Sequence, residues 1–76
     1  MAPQPYHLTW RGTRQAQTGF HVQDVSGMAC GHIRWHADGT ITVTHDDGSL
    51  FATCVSHEQS FIQAEALVRI TREMMA

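Results

Sequence analysis

The sequence predicts an α+β fold, in which an antiparallel β-meander of four to five strands packs one face against a C-terminal α-helix. Three observations lead to this prediction. Apolar and polar residues alternate through much of the first 55 positions, which is the period of half-buried strands. Two turn sequences, Ala37-Asp38-Gly39 and Asp46-Asp47-Gly48, interrupt this alternation. After Ser56 the apolar period becomes that of an amphipathic helix.

The first two strands are predicted near the N-terminus. The opening MAPQP contains two prolines, so we expect residues 1–5 to form a flexible or extended arm. In YHLTW three apolar residues alternate with polar ones, which predicts a strand over residues 6–10. Residues 11–18 are polar and should turn the chain. The alternation resumes in GFHVQDV, so residues 19–25 should form the second strand.

A third strand is predicted over residues 29–36, and the first turn sequence fixes its pairing with the fourth. Gly31 is expected to mark a bulge or a close backbone approach. A three-residue loop ending in a left-handed glycine pairs His36 with Thr40. The apolar residues that then share one face are Ile33, Trp35, Ile41 and Val43. A shift of one residue would scatter them over both faces, so this register is strongly favoured.

The second turn sequence extends the meander to residue 55. The same loop geometry pairs His45 with Ser49. Continued along the strand, this pairing sets Phe51 opposite Val43. It also sets Thr53 opposite Ile41. We therefore predict three consecutive strands over residues 29–55, preceded by one or two more.

The C-terminal segment predicts a helix of about 18 residues. Ser56 followed by Gln59 resembles a capping box, and Glu58 suits the positive end of the helix dipole. The residues of its apolar arc are Phe61, Ala64, Leu67, Val68, Ile70, Met74 and Met75. An apolar arc must be buried against a partner, and the apolar face of the meander supplies one.

Composition limits the class of protein. Seventy-six residues are expected to form one small domain, with a formal net charge of −2 and with arginine as its sole strongly basic residue type. Nucleic-acid binding is therefore disfavoured, because such proteins usually carry a basic surplus. Two cysteines do not make a disulfide framework, and no apolar run resembles a signal peptide or a membrane span. We expect a cytoplasmic protein with reduced thiols and no membrane contact.

Catalytic and metal sites are not predicted. In the predicted register the side chains on the face opposite the helix include Cys30, His32, His36 and Cys54. Zinc requires ligands that converge within about 2.0–2.3 Å of one point. Alternate residues on a strand stand about 6.6 Å apart, so neither a metal nor a cofactor is expected. A metal- or cysteine-dependent enzyme remains a third interpretation, but a flat sheet offers little of the cleft that nucleophilic catalysis needs.

The polar face of the sheet is the candidate partner-binding surface. Its predicted contact residues, together with one apolar residue on the outer side of the helix, are His32, Arg34, His36, Thr40, Thr42, Thr44 and Ile62. The leading hypothesis is a small non-enzymatic regulator or inhibitor, an accessory protein of the kind found in phages and mobile elements. It would bind a larger protein or complex through this face, its loops or the helix surface. The competing interpretation is an ordinary solvated sheet, since threonine favours strands.

A nucleic-acid-binding module is the alternative hypothesis. The residues that would contact phosphates and stack on bases are Trp10, Arg11, Arg14 and Arg34. An uncovered sheet edge or face also invites self-association, so a homodimer is a further expected state.

Overall fold

The computed structural model describes residues 6–75, which form five strands and a helix. In chain order these elements are β1 (Tyr6–Gly12), β2 (Gln17–Asp24), β3 (Ala29–Trp35), β4 (Ile41–His45), β5 (Leu50–Cys54) and α1 (His57–Met75). The strands make an antiparallel sheet of order β1-β2-β3-β4-β5, and α1 packs against β2, β3, β4 and β5. The predicted α+β meander with a C-terminal helix is confirmed. The predicted arm over residues 1–5 lies outside the described residues.

The first hairpin is longer than predicted. The predicted turn over residues 11–18 shortens to four residues, because β1 continues to Gly12 and β2 already begins at Gln17. Reciprocal backbone hydrogen bonds of 3.2 Å between Thr13 and Ala16 close the turn. The added strand residues are polar, and their polarity had suggested a loop. Polar side chains are tolerated here because one face of an antiparallel sheet can remain in contact with water.

Three hairpin turns share one backbone geometry. In each, the first residue bonds through its N–H to the carbonyl of the residue after the glycine, at 3.0 Å in the pair His36–Thr40 and 2.8 Å in the pair His45–Ser49. Both predicted turns are thus confirmed. The third copy joins β2 to β3, where Asp24 N–H bonds to the Met28 carbonyl at 3.0 Å. The turn-forming residues of its sequence, DVSG, predict a turn here, but without an Asp-Gly pair they do not predict its geometry. All three turn glycines have φ of 90–91°, which favours glycine.

The predicted β3–β4 register is confirmed. Ile33 pairs with Val43, and Trp35 pairs with Ile41, so these apolar side chains lie together on the face beneath α1. Ile33 and Val43 are both 0% exposed and form the centre of the core. The bulge predicted near Gly31 is also present. Val22 pairs with Gly31 and Gln23 pairs with Ala29, so Cys30 has no partner in β2.

The predicted β4–β5 register is wrong by one residue. Val43 pairs with Ala52 rather than Phe51, and Ile41 pairs with Cys54 rather than Thr53. The cause is a bulge in which Phe51 is the extra residue. Since a one-residue slip exchanges the two faces of a strand, Ala52 and Cys54 now face the helix.

The helix follows its predicted boundaries but not its whole predicted arc. Gln59 N–H donates to Ser56 Oγ at 3.2 Å, and Gln59 Oε1 accepts from the N–H of Val55 at 3.1 Å, so a capping box is present with its return bond shifted by one residue. The buried helix residues are Ser60, Ala64, Leu67 and Val68. The predicted arc members Ile70, Met74 and Met75 are exposed at 38%, 75% and 68%. The buried stripe of α1 includes Ser60, which is 0% exposed and lay outside the predicted arc.

Candidate functional site

The sheet presents one face away from α1, and we call it the open face. Its side chains are His7, Thr9 and Arg11 from β1, His21 and Gln23 from β2, Ala29, His32 and Arg34 from β3, His36 just after β3, Thr42 and Thr44 from β4, and Leu50 and Thr53 from β5. None of the elements formed by residues 6–75 packs over this face. It is therefore a polar platform that a partner can reach.

Several predicted contact residues lie together on the open face. His32 pairs with Thr44, and Arg34 pairs with Thr42, as predicted. His36 follows β3, and its Nε2 lies 2.7 Å from Thr42 Oγ1 in a hydrogen bond. Thr44 is buried, at 7% exposure, so it offers a partner little surface.

Two other predicted contact residues lie apart from the centre of the open face. Thr40 sits at the tip of the β3–β4 hairpin, where its hydroxyl donates to Asp38 Oδ1 at 2.7 Å. Ile62 projects from α1 and is 60% exposed, but it lies on the other side of the sheet. Any contact made by Ile62 would therefore belong to a different surface.

Two histidine rings lie against each other, edge to face, at the centre of the open face. His21 on β2 pairs directly with His32 on β3, and their ring centroids are 5.0 Å apart in an edge-to-face arrangement. Burial lowers the pKa of His32 below its usual value, and the nearby positive groups of His21, Arg11 and Arg34 lower it further. The polar period of β2 placed His21 on the exposed side of its strand. Its pairing with His32 could not be anticipated, because the sequence did not fix how β2 pairs with β3.

Two arginines flank a glycine on the same face. Gly19 on β2 pairs with Arg11 on one side and with Arg34 on the other. Neighbouring strands lie about 4.8 Å apart, so the two arginine Cα atoms stand about 10 Å apart with no side chain between them. Arg34 is exposed, and no hydrogen bond or ion pair links its guanidinium group to residues 6–75. Arg11 donates one hydrogen bond, to Thr18 Oγ1 at 3.3 Å.

The carboxyl groups of the aspartate and glutamate side chains do not project from the open face. The acidic residues of the chain are Asp24, Asp38, Asp46, Asp47, Glu58, Glu65 and Glu73, and within the described residues none projects from the open face. Asp38 and Asp47 accept hydrogen bonds from the hydroxyl and backbone N–H of Thr40 and Ser49, which lower the pKa of each carboxyl. The acid groups thus occupy the turns, α1 and the helix-side end of β2. The open face differs in charge from the rest of the molecule.

The two cysteines do not belong to the open face, which corrects the prediction. Cys30 and Cys54 are 1% and 2% exposed and lie in the core on the helix side. Cys30 is the extra residue of the β3 bulge, and the β5 bulge turns Cys54 toward α1. The predicted alignment of these thiols with His32 and His36 is therefore wrong. Residues 6–75 contain no group of three or more metal-ligating side chains.

The surroundings of Cys30 keep its thiol protonated. Its Sγ donates to the Met28 carbonyl at 3.5 Å, and it borders a groove of about 310 Å³ with His45 and Thr71. Burial raises the pKa of the thiol, and the negative charge of Asp24 raises it further. An activated cysteine nucleophile needs the opposite shift, toward the thiolate.

We expect both thiols to react slowly with a disulfide reagent such as DTNB in the native protein. Burial and raised pKa values should slow them more than about tenfold relative to an exposed thiol. In 6 M guanidinium two thiols per chain should react at once. A Thr53→Cys variant supplies the control, because position 53 is exposed beside Cys54 and its thiol should react quickly without denaturant. Fast reaction of two thiols in the native wild-type chain would contradict this picture.

The four residues of the nucleic-acid alternative are not brought into one surface. Trp10 lies on the helix side, where its ring centroid is 4.5 Å from that of Phe20, whereas the adjacent Arg11 lies on the open face. Arg14 belongs to the β1–β2 turn. Only Arg11 and Arg34 of this set share a surface within the described residues, so the proposed stacking of bases beside arginine loses its aromatic component.

Two further findings concern membrane-spanning helices and similarity to known proteins. Among residues 6–75, no helix combines the length and apolar character that crossing a bilayer requires. Comparisons of the chain with protein-family models, curated proteins and solved structures gave no match.

Proposed function

We propose that this chain is a small non-enzymatic regulator or inhibitor that binds a larger protein through the open face. The observation that carries the proposal is a five-stranded polar platform left uncovered by α1, with Arg34 exposed near its centre and free of internal partners among residues 6–75. The sheet holds the backbone from which these side chains project, so binding orders side chains but not the backbone beneath them. The raised thiol pKa values support a non-enzymatic role over cysteine catalysis.

The cytoplasm is the proposed site of action. Both cysteines are free and buried, which suits a reducing compartment, since small proteins of oxidising compartments commonly rely on disulfides.

The test is capture of a partner from a lysate of the source cells, with variants that separate the two surfaces of the molecule. The chain carries no lysine, so amine-directed biotin can be confined to its N-terminus. Arg34→Glu with Thr53→Glu alters two exposed positions of the open face, whereas Ile62→Glu alters the solvent side of α1. We expect the same partner with the wild type and with Ile62→Glu, and about tenfold less with the open-face variant.

Circular dichroism first establishes that each variant is folded. Three results contradict the proposal. The first is recovery of the same proteins by all three forms, and the second is recovery of none by the wild type. The third is loss of capture by Ile62→Glu alone, which would make the helix surface the binding site.

A further inference from the structure

The open face gathers positive and titratable groups in a chain whose formal net charge is −2. The basic side chains on it are Arg11, Arg34, His7, His21, His32 and His36. All seven side-chain carboxyl groups belong to described residues and project elsewhere, from the turns, from α1 or from the helix side of β2. An acidic partner would therefore be attracted to this face and repelled by the hairpin tips and the helix.

The two arginines are available to an incoming anion. Within residues 6–75 the ion pair present is Arg69 with Glu65, at 3.8 Å on α1, which leaves Arg11 and Arg34 without a carboxylate partner. They flank Gly19, so no side chain fills the space between them. A guanidinium group binds a carboxylate through two parallel hydrogen bonds, which gives direction as well as charge.

We propose that the open face binds a carboxylate-rich segment of its protein partner, with Arg11 and Arg34 as the charged anchors and the pair of His21 and His32 beside them. This inference rests on the proposed function and adds the chemistry of the partner to it. Two carboxylates about 10 Å apart, or one placed over Gly19, match the spacing of the anchors.

A nucleic acid fits this face less well than an acidic protein segment. Bases bind through stacking on aromatic rings, and both tryptophans lie on the helix side, where the Nε1 of Trp35 is buried. Affinity for nucleic acid also grows with the number of phosphates neutralised. Two arginines, surrounded at a distance by the acidic turns, supply few such contacts.

Binding should strengthen as the pH falls from 8 to 6. The groups whose positive charge acts on His32 are His21 from β2, Arg11 from β1 and Arg34 from its own strand. Asp46 acts with opposite sign from the β4–β5 turn, and α1 lies on the other side of the sheet. In the free protein burial and the positive groups lower the pKa of His32. A bound carboxylate favours the imidazolium form of His32 and raises its pKa, so the complex takes up a proton that the free protein does not hold.

The experiment measures fluorescence anisotropy of a labelled peptide of twenty glutamates, titrated with the protein at low salt. We expect saturable binding that is about threefold or more tighter at pH 6 than at pH 8. The variant Arg11→Gln with Arg34→Gln should weaken it at least about fivefold. The matched control is Arg69→Gln with Arg72→Gln on α1, which makes the same change in net charge and should stay within about twofold.

A labelled thymidine oligonucleotide of twenty residues is titrated in parallel. The proposal is overturned if the oligonucleotide binds more tightly than the peptide, if the two double variants lose equal affinity, or if the peptide does not bind at either pH. The two proposals can fail separately. A partner captured through the open face, together with no binding of the glutamate peptide, would refute the carboxylate chemistry and leave the proposed function standing.

Discussion

Leu67→Ala is expected to lower the free energy of unfolding by about 2–5 kcal/mol, because it removes three carbons from a closed site and leaves a cavity. Leu67 is 0% exposed. It lies against Gly31 of β3, because a Cβ added to Gly31 would lie 2.7 Å from the Cδ2 atom of Leu67. A domain of this length has a total stability of about 4–11 kcal/mol. The substitution therefore removes a large part of the stability and could unfold the protein at 37 °C.

Ile62→Ala is the matched control for this effect. It also replaces a large aliphatic side chain by alanine on α1, but Ile62 is 60% exposed. Its effect should stay within about 0.5 kcal/mol. Urea unfolding followed by circular dichroism at 222 nm gives both free energies, and equal losses for the two variants would show that α1 is not anchored to the sheet through Leu67.

The β3–β4 register and the helix, which together enclose Leu67, were both predictable from the sequence. The register of β3 with β4 was predictable because the alternation decides between two loop lengths. A two-residue Asp38-Gly39 turn would scatter the apolar residues over both faces, whereas a three-residue loop ending at Gly39 gathers Ile33 and Val43 on one face. The helix was predictable from its period and its cap, although the exposed Met74 and Met75 show that period alone does not locate the centre of the contact stripe.

The bulges were the main obstacle. A bulge adds one residue to one strand of a pair, and no residue type marks it reliably. Gly31 gave a warning of the bulge in β3, but Phe51 gave none for the bulge in β5. Cys30 is itself the extra residue of the β3 bulge, and Cys54 follows the β5 bulge, so both side chains face the helix. The prediction that they share the open face with His32 was therefore wrong.

The candidate site was predictable in part for the same reason. The alternation of β3 and β4 gave His32, Arg34 and Thr42 as neighbours, because their register was fixed by a turn. Arg11 and His21 joined them only through the pairing of β1, β2 and β3. The β1–β2 turn and the DVSG turn lack the signal that fixed the later hairpins. The separation of charge, which carries the inference about the partner, therefore required the complete sheet.

Gly19→Ala tests the centre of that sheet directly, and we expect a large loss of stability from two separate causes. The φ of Gly19 is +135°, a conformation that costs a side-chain-bearing residue about 1–3 kcal/mol. An added Cβ would also overlap the carbonyl oxygen of Ile33 on β3, so the two strands would have to move apart at a further cost of about 1–3 kcal/mol.

Gly39→Ala separates these two causes. Gly39 has a φ of +90°, but an added Cβ would meet nothing within 4 Å, so this variant carries the backbone cost alone. Thermal unfolding should rank the wild type above Gly39→Ala and Gly39→Ala above Gly19→Ala, with about 4–8 °C for each kcal/mol in a domain of this size. Displacement of β2 from β3 would also change the spacing of Arg11 and Arg34, so Gly19→Ala should weaken binding of the glutamate peptide where Gly39→Ala does not. Equal melting temperatures for the two variants would mean that β2 and β3 are not in close contact at Gly19, and the arrangement of the two arginines across it would have to be given up.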